Sequence, residues 1–179
     1  PVLEAYGMTE ASHQMSSNLL PPGARVPGSV GMGTGVEISI MDEAGKMVSL
    51  GDRAEVVIRG DNVTHGYNNN PEANAEAFTD GWFRTGDQGM MDSDGRLTLT
   101  GRLKELINRG GEKISPLEVD AALLDHPAVA EAVCFAVADV KYGEVVQAAV
   151  VLSGDAGESD IQGFLRDQLA DFKVPERIY

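Results

Sequence analysis

The stretch TGDQGMMDSDGRLTLTGRLKEL, residues 85–106, decides how the first half of this chain folds. The run DSDG at 92–95 is a turn sequence between two arms, so the stretch predicts an antiparallel hairpin. When the residues that flank the turn are paired, Asp87 faces Thr100, and Arg102 lies diagonal to Asp87 at roughly 7–8 Å between backbones. One acid and one base are therefore expected on the same face at one end of the hairpin.

Two interpretations stay open for Asp87 and Arg102. The simpler one is a surface salt bridge, which the two side chains alone favour. In the other, the pair grips a sugar, because a carboxylate can accept hydrogen bonds from both hydroxyls of a ribose while a guanidinium donates to the same edge.

The segment YGMTE, residues 6–10, favours the second interpretation. Tyr6 could lie flat on a base, Thr9 could bond a phosphate oxygen, and Glu10 could bind Mg²⁺ through its carboxylate oxygens. Five residues are weak support by themselves, because Tyr6 could equally belong to the core and Glu10 could simply be solvated.

The pattern of the first hundred residues predicts mostly β-strands. Residues 1–35 are rich in turn residues and predict loops. VEISIMD (36–42) and AEVVIRG (54–60) alternate with period two, which predicts antiparallel strands with one buried face each. A short helix is expected to begin after Pro71 and to end at Asp80-Gly81.

After about residue 103 the pattern changes to mixed helices and strands. Ser115 as N-cap, Pro116 at the first helical position and Glu118 as the partner in a capping box predict a helix start. Two strands and an amphipathic helix are predicted beyond it, and these are AVAEAVCFAVA (128–138), EVVQAAVVL (144–152) and ESDIQGFLRDQLADF (158–172).

The composition excludes some classes of partner. There are 28 acidic and 14 basic residues, a net charge of −14, so nucleic acid and anionic membrane surfaces would repel the chain. The single Cys134 excludes an intrachain disulfide and suits the reducing cytoplasm. No apolar run approaches the roughly 20 residues of a membrane span. The chain starts within a strand-like run and without a signal peptide, which indicates a fragment.

Three motifs carry a resemblance to a known family, and they are YGMTE (6–10), GWFRTGD (81–87) and GRLKELINRGGEKISPLEVD (101–120). In this order and spacing they resemble the adenylate-forming superfamily, and its AMP-forming acyl-CoA synthetases most closely. The resemblance implies an enzyme that makes an acyl-adenylate from a carboxylic acid and ATP with Mg²⁺, releases pyrophosphate, and transfers the acyl group to coenzyme A. Such chemistry relies on charge stabilisation and positioning rather than on a side-chain nucleophile.

The resemblance also implies a role for each residue of the site. Tyr6 would stack on adenine, Asp87 and Arg102 would hold the ribose, and Thr9 and Glu10 would be catalytic because they contact phosphate and Mg²⁺. The complete set of implied nucleotide-binding residues is Tyr6, Gly7, Met8, Thr9, Asp87 and Arg102.

A two-part architecture of mixed α/β class, truncated at both ends, follows from the same resemblance. Residues 1–101 would be the end of the large domain, an antiparallel β-rich, barrel-like third subdomain, and residues 102–179 an incomplete, mobile α+β lid. Lys104 would be the hinge. In one lid pose a loop would line the channel for the coenzyme A thiol, and its residues are Gly110, Gly111, Glu112 and Lys113. Two glycines let a pantetheine chain approach the backbone closely, although an ordinary turn would also explain them.

His13 gives a hint about the acid. The stretch MTEASHQM, residues 8–15, is similar to the oxalate–CoA ligase branch of the family. A small dicarboxylate needs a donor for its second carboxylate, and His13 could supply one. The alternative is a histidine satisfied by backbone groups on a loop. The resulting prediction is oxalate or another short acid.

Two parts of the family's active site have no match in the chain. The phosphate loop would precede residue 1 and the catalytic lysine would follow Tyr179, while Lys173 does not match the lysine motif. The segment alone is therefore not expected to complete adenylation, and surface exposed by truncation is expected to favour self-association. Two other interpretations stay open: a non-catalytic nucleotide-binding module or truncated paralogue, and an adenylating enzyme with another acceptor, such as a carrier protein.

Overall fold

The computed structural model describes residues 2–179 and separates them into two compact units, with the boundary between Leu103 and Lys104. The elements of the first unit are β1 (Ala5–Met8), β2 (His13–Ser17), β3 (Met32–Gly33), β4 (Glu37–Met41), β5 (Ala54–Arg59), α1 (Pro71–Ala77), β6 (Phe78–Thr79), β7 (Trp82–Met91) and β8 (Leu97–Arg102). Those of the second unit are β9 (Ile107–Arg109), β10 (Glu112–Ile114), α2 (Pro116–Leu124), β11 (Val129–Asp139), β12 (Gly143–Leu152), α3 (Glu158–Arg166) and β13 (Arg177–Ile178).

Within residues 2–179, the strands of the first unit form two antiparallel sheets. One has the order β1-β2-β3, and the other has the order β4-β5-β7-β6 with β8 also paired to β7. Neither sheet closes, so the barrel-like expectation is wrong, while the mixed α/β class and the antiparallel character are confirmed. The physical reason is that β3 and β6, each two residues long, stand at sheet edges and are too short to carry the pairing around a barrel.

Strands β4 and β5 pair antiparallel, as their alternation predicts. The prediction of loops for residues 1–35 is wrong at β1, β2 and β3. The sequence of β2, HQMSS, contains a single apolar residue, Met15. This strand is held by tertiary contacts instead of by a periodic apolar face. Met15 is fully buried, and the buried Ser16 Oγ donates to the Val30 carbonyl oxygen at 2.9 Å. Such contacts leave no pattern along the sequence.

The helix predicted after Pro71 is present but shorter than expected. It begins at Pro71 under an N-cap bond from the Ala73 N–H to Asn70 Oδ1 at 3.2 Å. It ends at Ala77, because Phe78 already has extended backbone and pairs with β7.

The second unit packs its helices on a mixed sheet of order β10-β9-β12-β11, with β13 parallel to β12. Helices α2 and α3 begin where the sequence predicts, although α3 ends at Arg166 instead of at residue 172. One apolar cluster forms the core of this unit, and its most buried members are Ile107, Ile114, Val119, Leu123, Val146, Ala148, Ile161 and Leu165.

The capping box predicted at the start of α2 is wrong. Ser115 occupies the N-cap position, but its side chain makes no capping bond. Glu118 forms a salt bridge with Lys173 Nζ at 2.7 Å instead. This lysine lies 55 residues further along the chain, so the local helix-start pattern could not reveal the competing partner.

Cys134 lies inside the second unit's core. Burial raises the pKa of its thiol to about 12, which keeps the thiol protonated and unreactive at neutral pH. In the part of the chain that the structure describes, no helix combines the length and apolar character that crossing a bilayer requires.

Candidate functional site

The hairpin of β7 and β8 brings Asp87 and Arg102 together more directly than the sequence predicts. Asp87 pairs with Arg102 itself and not with Thr100, and Arg102 Nε lies 3.2 Å from Asp87 Oδ1. The difference is two residues. One arises at the turn, because Met91 pairs with Leu97 and not with Arg96, and one arises from a register shift between Gln88 and Gly89, which leaves Thr100 as an extra residue on β8. A single bulge of this kind shifts every pair beyond it by one residue.

Gly89 lies at the bulge, in closely packed surroundings. A Cβ at this position would lie 2.8 Å from Val56 Cγ2 and 2.9 Å from the Thr98 carbonyl oxygen, so the backbone approaches its neighbours as only glycine allows. The extra residue Thr100 turns its hydroxyl to Gln88 Oε1 at 2.9 Å. Counting residues from the turn therefore gave the right hairpin with the wrong partner for Asp87.

Tyr6 links the segment YGMTE, residues 6–10, to the β7–β8 hairpin. Its hydroxyl donates to Asp87 Oδ2 at 2.5 Å, across 81 residues of sequence. The Tyr6 ring is only 9% exposed and belongs to the core of the first unit. Burial, and then the hydrogen bond to Asp87, raise the pKa of Tyr6, so the hydroxyl keeps its proton and acts as a donor. Both oxygens of Asp87 are thus oriented, one by Arg102 and the other by Tyr6.

The backbone around Asp87 is fixed by a second network that the sequence did not predict. The Gly86 N–H donates to Glu55 Oε1 at 2.8 Å, and the Thr85 hydroxyl donates to the Val56 carbonyl oxygen at 2.7 Å. The Thr85 hydroxyl oxygen also accepts from the Asp87 N–H at 3.1 Å. Residues 85–87 form a bulge opposite β5, and these bonds set the direction in which Asp87 leaves the strand.

Glu55 is held in turn by Arg84. The Arg84 Nη2 atom lies 2.6 Å from Glu55 Oε2, and the two side chains are only 17% and 8% exposed. The same guanidinium donates to the Asp42 carbonyl oxygen at 3.1 Å. A glutamate inside the apolar run AEVVIR was the available signal for this pair, because a buried carboxylate requires a partner.

The turn between β1 and β2 carries Thr9, Glu10 and His13. Thr9 and Glu10 lie in a 3₁₀ turn, and His13 begins β2 opposite Met8 with φ of 84°. Thr9 and His13 are exposed, and Glu10 is half-buried. Gly7 is required by the hairpin itself, because a Cβ there would lie 1.8 Å from the His13 carbonyl oxygen.

The donor set at this turn fits a magnesium ion that is shared with a polyphosphate. No group of three or more His, Cys, Asp or Glu side chains suited to a metal occurs within residues 2–179. Glu10 and the Thr9 hydroxyl are the oxygen donors at the turn. Proteins usually hold Mg²⁺ through one or two carboxylates together with substrate phosphates and water, so Glu10 suffices as the protein carboxylate.

In the second unit, Gly110 and Gly111 form the turn between β9 and β10, with φ of 61° and 100° that glycine adopts without strain. The Gly110 N–H donates to the Tyr142 carbonyl oxygen at 2.8 Å, which ties this turn to the β11–β12 hairpin. Glu112 and Lys113 follow on β10 with exposed side chains.

Two basic residues of the second unit, Arg109 and Lys104, have different surroundings. The Arg109 guanidinium stacks 3.9 Å from the centre of the Tyr142 ring and pairs with Glu176 at 3.1 Å. Lys104 is exposed and is the first residue of the second unit, inside a 3₁₀ turn at Leu103–Glu105.

Comparison with known proteins places the chain in a class. The model of the AMP-binding enzyme family matches residues 1–68, and the model of the AMP-binding enzyme C-terminal domain matches residues 118–179. The chain belongs to the adenylate-forming, AMP-binding enzyme family.

The relatives that it matches are longer proteins. The chain is 57% identical to the oxalate–CoA ligase of Saccharomyces cerevisiae, over 100% of this chain and 34% of that protein. It superposes on ATP-bound MatB from Rhodopseudomonas palustris with a TM-score of 0.92 at 37% identity, over 99% of this chain and 36% of that one. For the O-succinylbenzoate coenzyme A synthetase of Bacillus subtilis with ATP and magnesium ion, the TM-score is 0.87 at 35% identity, over 100% and 37% of the two chains. The chain therefore spans about a third of the length of these relatives.

Proposed function

We propose that the chain is part of an ATP-dependent acid–CoA ligase and that its first unit binds the nucleotide. The observation that supports this most strongly is the joint placement of Tyr6, Asp87 and Arg102 at one end of the β7–β8 hairpin. An oriented carboxylate beside a guanidinium can accept from and donate to the two hydroxyls of a ribose. The Arg102 side chain is 68% exposed, so this edge is open to a ligand.

The reaction proposed for the whole protein has two steps. In the first, an oxygen of the acid's carboxylate attacks the α-phosphorus of ATP, the bond to the β-phosphate oxygen breaks, and pyrophosphate leaves with that electron pair. In the second, the sulfur of coenzyme A attacks the acyl carbonyl carbon, the bond to AMP breaks, and the thiol proton is released. Neither step needs a covalent bond to the protein, so orientation and charge stabilisation are what the residues supply.

Each site residue has a defined task in this scheme. Asp87 and Arg102 bind the ribose, Tyr6 holds Asp87 and stacks on the base, and the Thr9 hydroxyl donates to a phosphate oxygen. Glu10 would hold Mg²⁺, which would supply charge neutralisation at the phosphates. Gly7 and Met8 place these groups by forming the first strand of the turn.

We propose that residues 102–179 are a mobile lid domain. Residues 1–101 would be the end of the large domain. Lys104 would be the hinge. The turn at Gly110 and Gly111 would admit the pantetheine chain of coenzyme A, with Glu112 and Lys113 beside it. The left-handed φ values of both glycines support a turn without side chains, which leaves room for a ligand along the backbone.

For the acid we propose oxalate or a similarly short carboxylate. His13 is exposed on the same turn as Thr9 and Glu10, where its ring can donate to a second carboxylate. The name of the 57% identical relative from yeast points to the same acid. A cytoplasmic location is proposed with it, since a chain with a single cysteine forms no intrachain disulfide and suits a reducing compartment. Self-association of the isolated chain is also proposed, because Val133 and Phe135 leave an apolar stripe exposed on the edge strand β11.

The choice of acid is tested by pyrophosphate release from the full-length protein with oxalate, malonate, acetate and octanoate. Oxalate is expected to give the highest kcat/KM. The His13→Ala variant should raise KM for oxalate about tenfold or more, because a hydrogen bond to a charged group contributes about 1.5–3 kcal/mol, and should leave KM for acetate unchanged. His13→Gln retains a donor and serves as the matched control. Faster turnover of octanoate than of oxalate would show that the proposed acid is wrong.

A further inference from the structure

Tyr67 contacts the site although no motif marks it. Its hydroxyl donates to Glu10 Oε1 at 3.0 Å, across 57 residues of sequence. Tyr67 is 38% exposed, so its ring is not there to fill the core. The arrangement matches that of Tyr6, whose hydroxyl holds the other carboxylate of the site, Asp87. Each carboxylate of the proposed site thus has its own tyrosine hydroxyl.

The backbone of Tyr67 is fixed from the side of α1. Asn74 binds it twice: Asn74 Oδ1 accepts from the Tyr67 N–H at 2.6 Å, and Asn74 Nδ2 donates to the Tyr67 carbonyl oxygen at 3.0 Å. The preceding Gly66 N–H donates to Thr64 Oγ1 at 3.2 Å. A side chain whose backbone is held from both directions presents its hydroxyl at a defined point, and this distinguishes Tyr67 from a mobile surface tyrosine.

The segment that leads to Tyr67 is also bonded to the turn that carries Glu10. The Thr64 N–H donates to the Glu10 carbonyl oxygen at 2.7 Å, and Asn62 Nδ2 donates to the Ala11 carbonyl oxygen at 2.9 Å. Backbone and side chain of Glu10 are therefore both bound by one stretch, residues 62–67, which we name the brace segment.

We propose that Tyr67 is a positioning residue for magnesium–nucleotide binding, because its hydroxyl holds the Glu10 carboxylate in the orientation that a phosphate-bound Mg²⁺ requires. A carboxylate has room for about four hydrogen bonds or ligands, so one bond from Tyr67 leaves the outer lone pairs free for the metal. A free glutamate side chain loses rotamer freedom when it binds a metal, which costs conformational entropy. Because the bond from Tyr67 already restricts the Glu10 side chain, the entropy cost of binding the metal is smaller.

The hydroxyl of Tyr67 is suited to this role because it is a hydrogen-bond donor and the Glu10 carboxylate is its acceptor. This inference rests on the proposed function, since it assigns Tyr67 to the nucleotide site formed by Thr9 and Glu10.

The test is calorimetric titration of the full-length protein with ATP over a series of Mg²⁺ concentrations, and with AMP in the absence of Mg²⁺. Tyr67→Phe is expected to weaken Mg²⁺–ATP binding several-fold and to raise the Mg²⁺ concentration at half-saturation, while AMP binding without metal is unchanged. Asn74→Ala keeps the hydroxyl but frees the backbone, and is expected to give a smaller loss in the same direction. Tyr6→Phe is the contrasting variant, since it should weaken AMP binding with or without Mg²⁺.

The outcomes are separable. Unchanged Mg²⁺ dependence in Tyr67→Phe would overturn the inference, and so would an equal loss of AMP and Mg²⁺–ATP affinity, which would indicate a merely structural role. A thermal transition measured for each variant identifies such a structural loss. If the unaltered protein showed no saturable nucleotide binding, the proposed function would fail first, and the inference would fail with it.

Discussion

Asp87→Ala is expected to lower the affinity of the 179-residue chain for AMP by at least about tenfold, since a hydrogen bond to a charged group contributes about 1.5–3 kcal/mol and every 1.4 kcal/mol is a factor of ten. The substitution removes the only carboxylate that Arg102 and Tyr6 orient at this edge in the described part of the chain. The measurement is calorimetric titration with AMP.

Two further variants are compared with Asp87→Ala. Asp94→Ala changes an acid at the opposite end of the same hairpin, in its turn, where Asp94 is exposed and pairs with Arg96. It should bind AMP like the unaltered chain. Asp87→Asn keeps the shape and one acceptor oxygen, so an intermediate affinity is expected. If Asp87→Ala bound AMP as tightly as Asp94→Ala, the hairpin edge would not be a ribose site.

Glu55→Ala is expected to destabilise the first unit by about 3–5 kcal/mol, the cost typical of removing one partner of a buried ion pair. The loss leaves the Arg84 charge buried and the Gly86 N–H without its acceptor. Trp82, the single tryptophan of the chain, lies on β7 two residues before Arg84. Urea unfolding followed by its fluorescence therefore reports on this unit.

The control for Glu55 is Glu37→Ala. Glu37 pairs with Arg59 at 2.8 Å on the same sheet, but both side chains are about half exposed or more, so no resolvable change in the urea midpoint is expected. A double-mutant cycle with Arg84→Met isolates the coupling, because the double variant Glu55→Ala, Arg84→Met should lose less than the sum of the two single changes. Equal midpoints for Glu55→Ala and Glu37→Ala would contradict the account of the bulge.

The sequence was most informative where the determinants are local. Turn residues predict the hairpin at 85–106, and alternation predicts the strands β4 and β5. Proline placement predicts the starts of the helices after Asn70 and Ser115. The register of the hairpin did not follow, because the turn takes up residues 92–96 and a bulge follows between Gln88 and Gly89, and neither is marked by the turn sequence DSDG.

The supporting residues of the site could not be predicted for a similar reason. Tyr67 reaches Glu10, Glu55 reaches Gly86, and Lys173 replaces Ser115 as the partner of Glu118 only after the chain has folded. Motifs mark groups that face a ligand, whereas the groups that orient them are distant in sequence and carry no fixed spacing. The charge of Glu55 inside an apolar strand was the one exception that a local reading could have used.

The most direct test of the central claim compares AMP with 2′,3′-dideoxy-AMP in titrations of the 179-residue chain. The base and phosphate are the same in both ligands, and only the two ribose hydroxyls differ, so the comparison isolates the contacts assigned to Asp87 and Arg102. The account predicts saturable binding of AMP and an affinity for the dideoxy ligand that is weaker by about tenfold or more. Equal affinity for the two ligands would show that this edge does not hold a ribose.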